Sequence, residues 1–232
     1  MLQKEAVDSN TLALIKELQS KEYLKNFNLA GGTALALYIG HRKSNDIDLF
    51  TDKDFDEQSV LEKLESGFNF ILDYQEKNTL KGFIGEIKVD ILSHKYNTVA
   101  TSVKIDNIIL ASTEDIIAMK LNAISGDGTR IKDFIDLYYL LKEHSVDELL
   151  ACYEKKYNQR NLMQVIKSLN YYDEVNLDDW PVLIKDKDLS WDAIKKSINA
   201  AMIVYTNSLL QPDTKKIDKS KNTNDTKSKM KY

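Results

Sequence analysis

Residues 29–50, LAGGTALALYIGHRKSNDIDLF, constrain the fold more tightly than any other part of the chain. Asn28-Leu29-Ala30 reads as the end of a short strand, and Gly31-Gly32 lets the backbone turn where a side chain would block close approach. Residues 33–38 then read as a helix. The first N–H groups of such a helix have no partners within it and carry the positive end of its dipole, so an anion, most naturally a phosphate, sits over the two glycines. After thirteen intervening residues, Asp46-Ile47-Asp48-Leu49-Phe50 alternates as a strand does. Ile47 and Leu49 point to a core, and Asp46 and Asp48 share the other face. Two carboxylates side by side repel each other unless a cation lies between them, and hard oxygen ligands suit Mg²⁺ or Mn²⁺. A Gly-Gly turn or a surface Asp-x-Asp strand is ordinary by itself. Their succession describes a nucleotide-and-metal unit in which Gly31, Gly32, Thr33, Arg42 and Ser44 meet a triphosphate through backbone N–H groups, hydroxyls and a guanidinium.

The remaining composition says which residues must do the chemistry. At 232 residues and 43% hydrophobic, the chain is long enough for one large domain or a domain and a half. No run of eighteen apolar residues exists, and the opening MLQKEAVDSN lacks a signal peptide's apolar stretch, so a cytoplasmic protein without a membrane partner is expected. Cys152 is the only cysteine, and His41, His94 and His144 are not spaced as a zinc site, so any metal falls to carboxylates. The net charge of −4 excludes a globally basic surface. Residues 211–232, with seven lysines and three aspartates, carry +4 and leave −8 for the rest. This tail is expected to be disordered, solvated, or loosely engaged with phosphate backbones.

In chain order, residues 8–24 read as a helix with Leu12, Ile15 and Leu18 on one stripe and Ser9 or Asn10 as its cap. A short helix over 59–64 follows, then strands over 68–73, 79–84 and 86–93, the last two joined at Gly85. In the third strand Ile87, Val89 and Ile91 share a face and Asp90 lies opposite, a third carboxylate able to complete a metal site or take a proton from an attacking hydroxyl. Residues 103–110 suggest a strand or hairpin, and Ser112-Thr113-Glu114-Asp115 opens a helix to about 125 with Ile117, Leu121 and Ile124 buried and Lys120 on its flank. On the next helix Asp133 and Asp136 share a face beside a core stripe of Phe134, Leu137, Tyr138 and Leu141, and Asp136 is available to Arg130 or Lys132 as an ordinary salt-bridge partner. Three further amphipathic helices imply a small bundle, with an acidic connection containing Trp180-Pro181 before the last. Tyr157, Tyr171 and Tyr172 are available either to pack within it or to stack on bases.

Gly31-Gly32 followed by Asp46-Ile47-Asp48-Leu49 resembles the signature of the nucleotidyltransferase superfamily that includes DNA polymerase beta. The fuller string, with Arg42 and Ser44 ahead of Asp46, is similar to the AbiEii/AbiGii toxin family of bacterial nucleotidyltransferases. STEDIIAMKLNAI and the RIKDFIDL that follows at 130–137 are similar to that family's third and fourth motifs. The resemblance implies active-site roles for Lys120 and for an aspartate of the next helix, Asp133, which would orient Lys120 or a hydroxyl. A lysine there would neutralise charge on a leaving pyrophosphate.

The resulting expectation is an α/β (α+β) nucleotidyltransferase fold with a short mixed sheet flanked by helices over residues 1–143, a helical bundle over 144–210, and the tail over 211–232. The enzyme would move a nucleoside monophosphate from an NTP to a hydroxyl, with Asp46, Asp48 and Asp90 holding the metal and Asp46, Asp48, Asp90, Lys120 and Asp133 catalytic. The resemblance adds RNA, in particular a tRNA 3′ end, as acceptor and a cognate antitoxin as partner. Two alternatives stay open: an inactive nucleotide- or RNA-binding scaffold, and modification of a small molecule of antibiotic type.

Overall fold

Alternation and turn chemistry place most of the elements. The structure is a computed structural model that describes residues 1–210, so the basic stretch 211–232 lies outside the described residues. The chain opens with α1 (Ser9–Ser20), β1 (Asn28–Leu29), α2 (Gly31–Ile39), β2 (Ile47–Thr51) and α3 (Glu57–Phe68). A meander of β3 (Ile71–Glu76), β4 (Thr79–Ile84) and β5 (Ile87–Ser93) follows, then a hairpin of β6 (Val103–Ile105) and β7 (Ile108–Leu110). The rest is helical: α4 (Thr113–Gly126), α5 (Ile131–Leu140), α6 (Val146–Tyr157), α7 (Met163–Ser168) and α8 (Trp191–Leu210).

All seven strands form one mixed sheet in the order β3-β4-β5-β2-β1-β7-β6. β2 runs parallel to β5 and antiparallel to β1, which itself lies parallel to β7. Ile47, Leu49 and Thr51 are buried along β2, as the period of two requires. That face and its partners Val89 and Ile91 on β5 belong to a hydrophobic cluster that continues through Leu121, Phe134 and Leu150 to Ile194 and Ile198. The C-terminal helices therefore do not pack only on one another: α6 and α7 lie on α4, and α8 lies on α5 and α6.

Three local expectations change. Asp8, rather than Ser9 or Asn10, is the N-cap of α1, and its side chain is drawn instead to Asn45 Nδ2 (2.6 Å). The short helix over 59–64 runs Glu57–Phe68, because the Asp56 carboxylate accepts from Ser59 N–H (3.0 Å) at its start and Asn69 ends it in the left-handed region (φ 53°). Phe68 thus closes a helix, and the strand expected from 68 starts at Ile71. The acidic connection before α8 returns across the α2–β2 loop, where Lys43 N–H donates to Val182 O (2.8 Å) and Ile184 N–H to His41 O (2.9 Å).

Candidate active site

The two glycines each meet a charged side chain at a distance no Cβ tolerates. Gly31 opens α2 at φ +67°, and a Cβ there would stand 1.9 Å from Asp48 Oδ2. A Cβ on Gly32 would lie 2.4 Å from the Arg42 guanidinium and 3.5 Å from Ser44 Oγ. The helix N-terminus is thus flanked by a carboxylate on one side and a guanidinium on the other. Ala30, its N-cap, supplies no side-chain bond to the first N–H groups, which leaves them to an external acceptor.

Asp48 and Asp90 are direct register partners on the parallel strands β2 and β5, and Asp46 is exposed just ahead of β2. Burial, then the charges of Asp90 and Asp46, push the Asp48 carboxyl up to about 6, with Lys120 and Lys88 pulling the other way. Asp90 is 8% exposed, not a solvated edge aspartate; its Oδ1 is buried without a partner and its Oδ2 lies 3.3 Å from Lys88 Nζ. A repelling pair with an unpartnered oxygen fits a divalent cation. Among the described residues no three His, Cys, Asp or Glu side chains form a ready-made metal cluster. Two carboxylates completed by substrate oxygens and water is the donor set that Mg²⁺ commonly takes.

Behind the glycines lies a buried charge network. Lys120 is 7% exposed, with its Nζ 2.7 Å from Asp133 Oδ1 and 2.6 Å from Asp136 Oδ2. The fully buried Asp136 also accepts from Arg42 Nε (2.7 Å) and Nη2 (3.0 Å) and from His41 Nε2 (2.7 Å). Burial alone would raise the Asp136 carboxyl, but Arg42, Lys120 and the hydrogen bonds outweigh it and hold the group well below the usual carboxylate range. Burial lowers His41 against the pull of Asp136, so the neutral ring places its proton on Nε2. Lys120 is raised, because Asp136 and Asp133 outweigh the desolvation that would lower it.

Three expectations are corrected here. Lys120 is no flank residue: it sits one turn from both Ile116 and Ile124, which are buried at 0% and 1%, and shares their stripe. Asp136 pairs with neither Arg130 nor Lys132; Lys132 reaches Asp179 (2.8 Å), and Arg130 Nε stands 3.7 Å from Asp133 Oδ2. Thr33 is fully buried and its hydroxyl meets Ser44 Oγ (2.9 Å), so it supports Ser44 rather than facing the cavity.

Gly31, Gly32, Asp46, Asp48, Asp90, Lys120 and Asp133 all line one cavity between the sheet and helices α4 and α5. It adjoins a cleft to which Arg42, Lys43, Ser44, Arg130 and Lys132 contribute, closed by residues 179–182 of the acidic connection. Those four residues were not expected at the site; Trp180-Pro181, which breaks the helical pattern, was the available signal. Of the three tyrosines, Tyr157 lines the cavity, Tyr172 packs edge-on against Phe134 and Trp191, and Tyr171 is 47% exposed. No helix among the described residues is long and apolar enough to cross a membrane.

The family model described as nucleotidyl transferase AbiEii toxin, Type IV TA system, matches residues 13–109 and 86–204. An uncharacterized protein of Aquifex aeolicus is 31% identical over 188 residues, 78% of this chain and 89% of that protein. Among solved structures, a nucleotidyltransferase of Helicobacter pylori shares the fold with a TM-score of 0.55 at 17% identity, over 88% of this chain and 96% of the other. The nucleotidyltransferase toxin MenT4 of Mycobacterium tuberculosis does so at 0.52 and 15% identity, over 88% and 86%. The expected mixed-sheet nucleotidyltransferase fold is therefore met, and the chain belongs to the AbiEii family of nucleotidyl transferase toxins, NTP-using transferases of toxin–antitoxin systems.

Proposed function

We propose that this protein transfers a nucleoside monophosphate from an NTP to a terminal hydroxyl of RNA, in particular a tRNA 3′ end, in the bacterial cytoplasm, under the control of a cognate antitoxin. The observation that carries the reading is the Asp48–Asp90 register pair, set against the uncapped start of α2 and beside a cleft rich in cations. Asp48 and Asp90, completed by substrate oxygens and water and with Asp46 exposed beside them, would hold a divalent cation, Mg²⁺ or Mn²⁺, which supplies charge neutralisation at the reacting phosphate.

This chain's own groups divide the remaining work. The N–H groups at Gly32 and the Ser44 hydroxyl bind the triphosphate, and Thr33 fixes Ser44. The acceptor oxygen attacks the α-phosphorus, the bond to the pyrophosphate oxygen breaks, and Asp90 takes the hydroxyl proton. Charge then builds on the pyrophosphate, where Lys120 is already ionised and held by Asp133 and Asp136, so little reorganisation is needed in the transition state. Arg42 lies forked on Asp136 and donates from Nη1 to Lys43 O (3.1 Å), with Nη2 beside Gly32 at the cleft.

The test is incubation with each of the four α-labelled NTPs, tRNA or total RNA, and Mg²⁺ or a chelator. Metal-dependent label on RNA supports the reading. Label on small molecules alone, or none with any NTP, overturns it.

A further inference from the structure

We propose that a recess beside the carboxylates, walled by Phe50, His94, Tyr96, Thr98 and Thr101, receives the base of the acceptor's 3′-terminal nucleotide. The assignment rests on the reading of the chain as an RNA nucleotidyltransferase. The recess shares Phe50, His94 and Met119 with the cavity that holds Asp48 and Asp90, so the two adjoin. Its wall is aromatic: ring centroids lie 5.8 Å apart for Phe50 and His94, 4.7 Å for His94 and Tyr96, and 4.7 Å for Tyr96 and Tyr157. Tyr96 is 51% exposed, so much of its surface remains open to solvent beside His94 and Tyr157.

Its charge pattern suits a base and not a phosphate. The lysine of the recess, Lys156, is buried and committed to Asp115 (2.6 Å). Burial and then Lys156 push His94 down to about 4, so its ring is a neutral stacking surface whose Nε2 meets Tyr157 Oη at 3.2 Å. Thr98, Thr101 and Ser102 line the recess with hydroxyls able to pair with base edges. The segment over 97–100 is held in place: the Asp115 carboxylate accepts from Val99 N–H (3.1 Å) and Ala100 N–H (3.2 Å), and Lys155 Nζ donates to Val99 O (2.7 Å). Such a wall needs little ordering on binding.

The chemistry sets the direction of approach. In an in-line displacement the attacking oxygen lies opposite the leaving pyrophosphate. Lys43 and Lys132 line the cleft on one side of Asp46 and Asp48, which suits the pyrophosphate, and the aromatic recess shares no lining residue with that cleft. The incoming acceptor therefore arrives over Phe50 and His94, and its terminal base stacks where those rings meet Tyr96.

The experiment titrates wild type, Tyr96→Ala and Tyr96→Phe into a short single-stranded RNA oligonucleotide carrying 2-aminopurine at its 3′ end, with NTP affinity and transfer kinetics measured in parallel. Wild type and Tyr96→Phe should quench the fluorophore. Tyr96→Ala should bind the oligonucleotide about five- to 150-fold more weakly, the range for losing one base–aromatic stack, and raise KM for RNA with KM for NTP unchanged. Absence of quenching with wild type overturns the proposal, as does an unchanged oligonucleotide affinity in Tyr96→Ala. A loss confined to NTP affinity also overturns it, by placing the incoming base there. The two readings fail separately: an RNA-transferring wild type with an indifferent Tyr96→Ala sinks the recess alone. Tyr96-dependent quenching without transfer to RNA sinks the transferase reading and leaves the recess as an RNA-end site.

Discussion

Replacing Lys120 by Met separates its part in the fold from its part in the reaction. Methionine keeps much of the aliphatic stem but removes an ammonium bracketed by Asp133 at 2.7 Å and Asp136 at 2.6 Å. Asp136 retains Arg42 and His41, whereas Asp133, 2% exposed, is left with Arg130 at 3.7 Å as its nearest cation. Breaking a buried pair costs about 3–5 kcal/mol, and with one carboxylate still compensated the lower end applies. A loss of about 3 kcal/mol lowers Tm by about 6–12 °C in a chain of this size. The double variant Lys120→Met/Asp133→Asn neutralises the stranded carboxylate and should recover part of that loss, a coupling visible in a double-mutant cycle. Single-turnover transfer, measured well below both melting points, should fall about a hundredfold in Lys120→Met, because one preorganised contact to the transition state is gone. The double variant should not recover it. The reasoning is refuted if Lys120→Met melts like wild type, or if restoring stability also restores the rate.

Three further outcomes follow from the geometry. Gly31→Ala and Gly32→Ala should each abolish transfer, the first by meeting Asp48 at a left-handed φ and the second by displacing Arg42, while Gly67→Ala, with nothing within 4 Å, should gain about 0.5–1 kcal/mol in urea unfolding. Asp136→Asn strips Arg42 and Lys120 of their shared anion and should destabilise by about 3–5 kcal/mol in the same unfolding assay. The Asp48 carboxyl sits near 6 against an unfolded value of 3.8, so between those values the folded state binds more protons, and this group's contribution to stability in chelator declines as pH rises from about 4 to 6. Mn²⁺ affinity, read by electron paramagnetic resonance, should move the opposite way and weaken as pH falls through about 6; a flat profile from pH 7 to 5 would remove Asp48 from the ligands.

The parts legible in the sequence were those written in local pattern. Gly31-Gly32 and the alternation of 46–50 foretold a helix start against a carboxylate strand, and the period of two put Asp90 on the face opposite Val89 and Ile91, where its register partner is Asp48. The sequence carries the chemistry of Lys120, and its burial is encoded only in the one-turn spacing to Ile116 and Ile124, which bracket it. From its helical neighbours alone, Asp136 reads as an ordinary salt-bridge partner for Arg130 or Lys132. Helix α5 is buried at Ile131, Phe134, Ile135, Leu137, Tyr139 and Leu140, which leaves no solvated face for a carboxylate there. The wall over 179–182 depends on long-range pairing of an irregular segment with the α2–β2 loop, which no periodicity encodes.

The central claim is that the Asp48–Asp90 pair is kept for chemistry at a cost to the fold, and Asp48→Asn tests it most directly. Removing one of two repelling charges should leave Tm unchanged or higher, while metal-dependent transfer of labelled nucleotide to RNA falls at least about a hundredfold. A folded Asp48→Asn protein that transfers nucleotide at close to the wild-type rate would contradict the account.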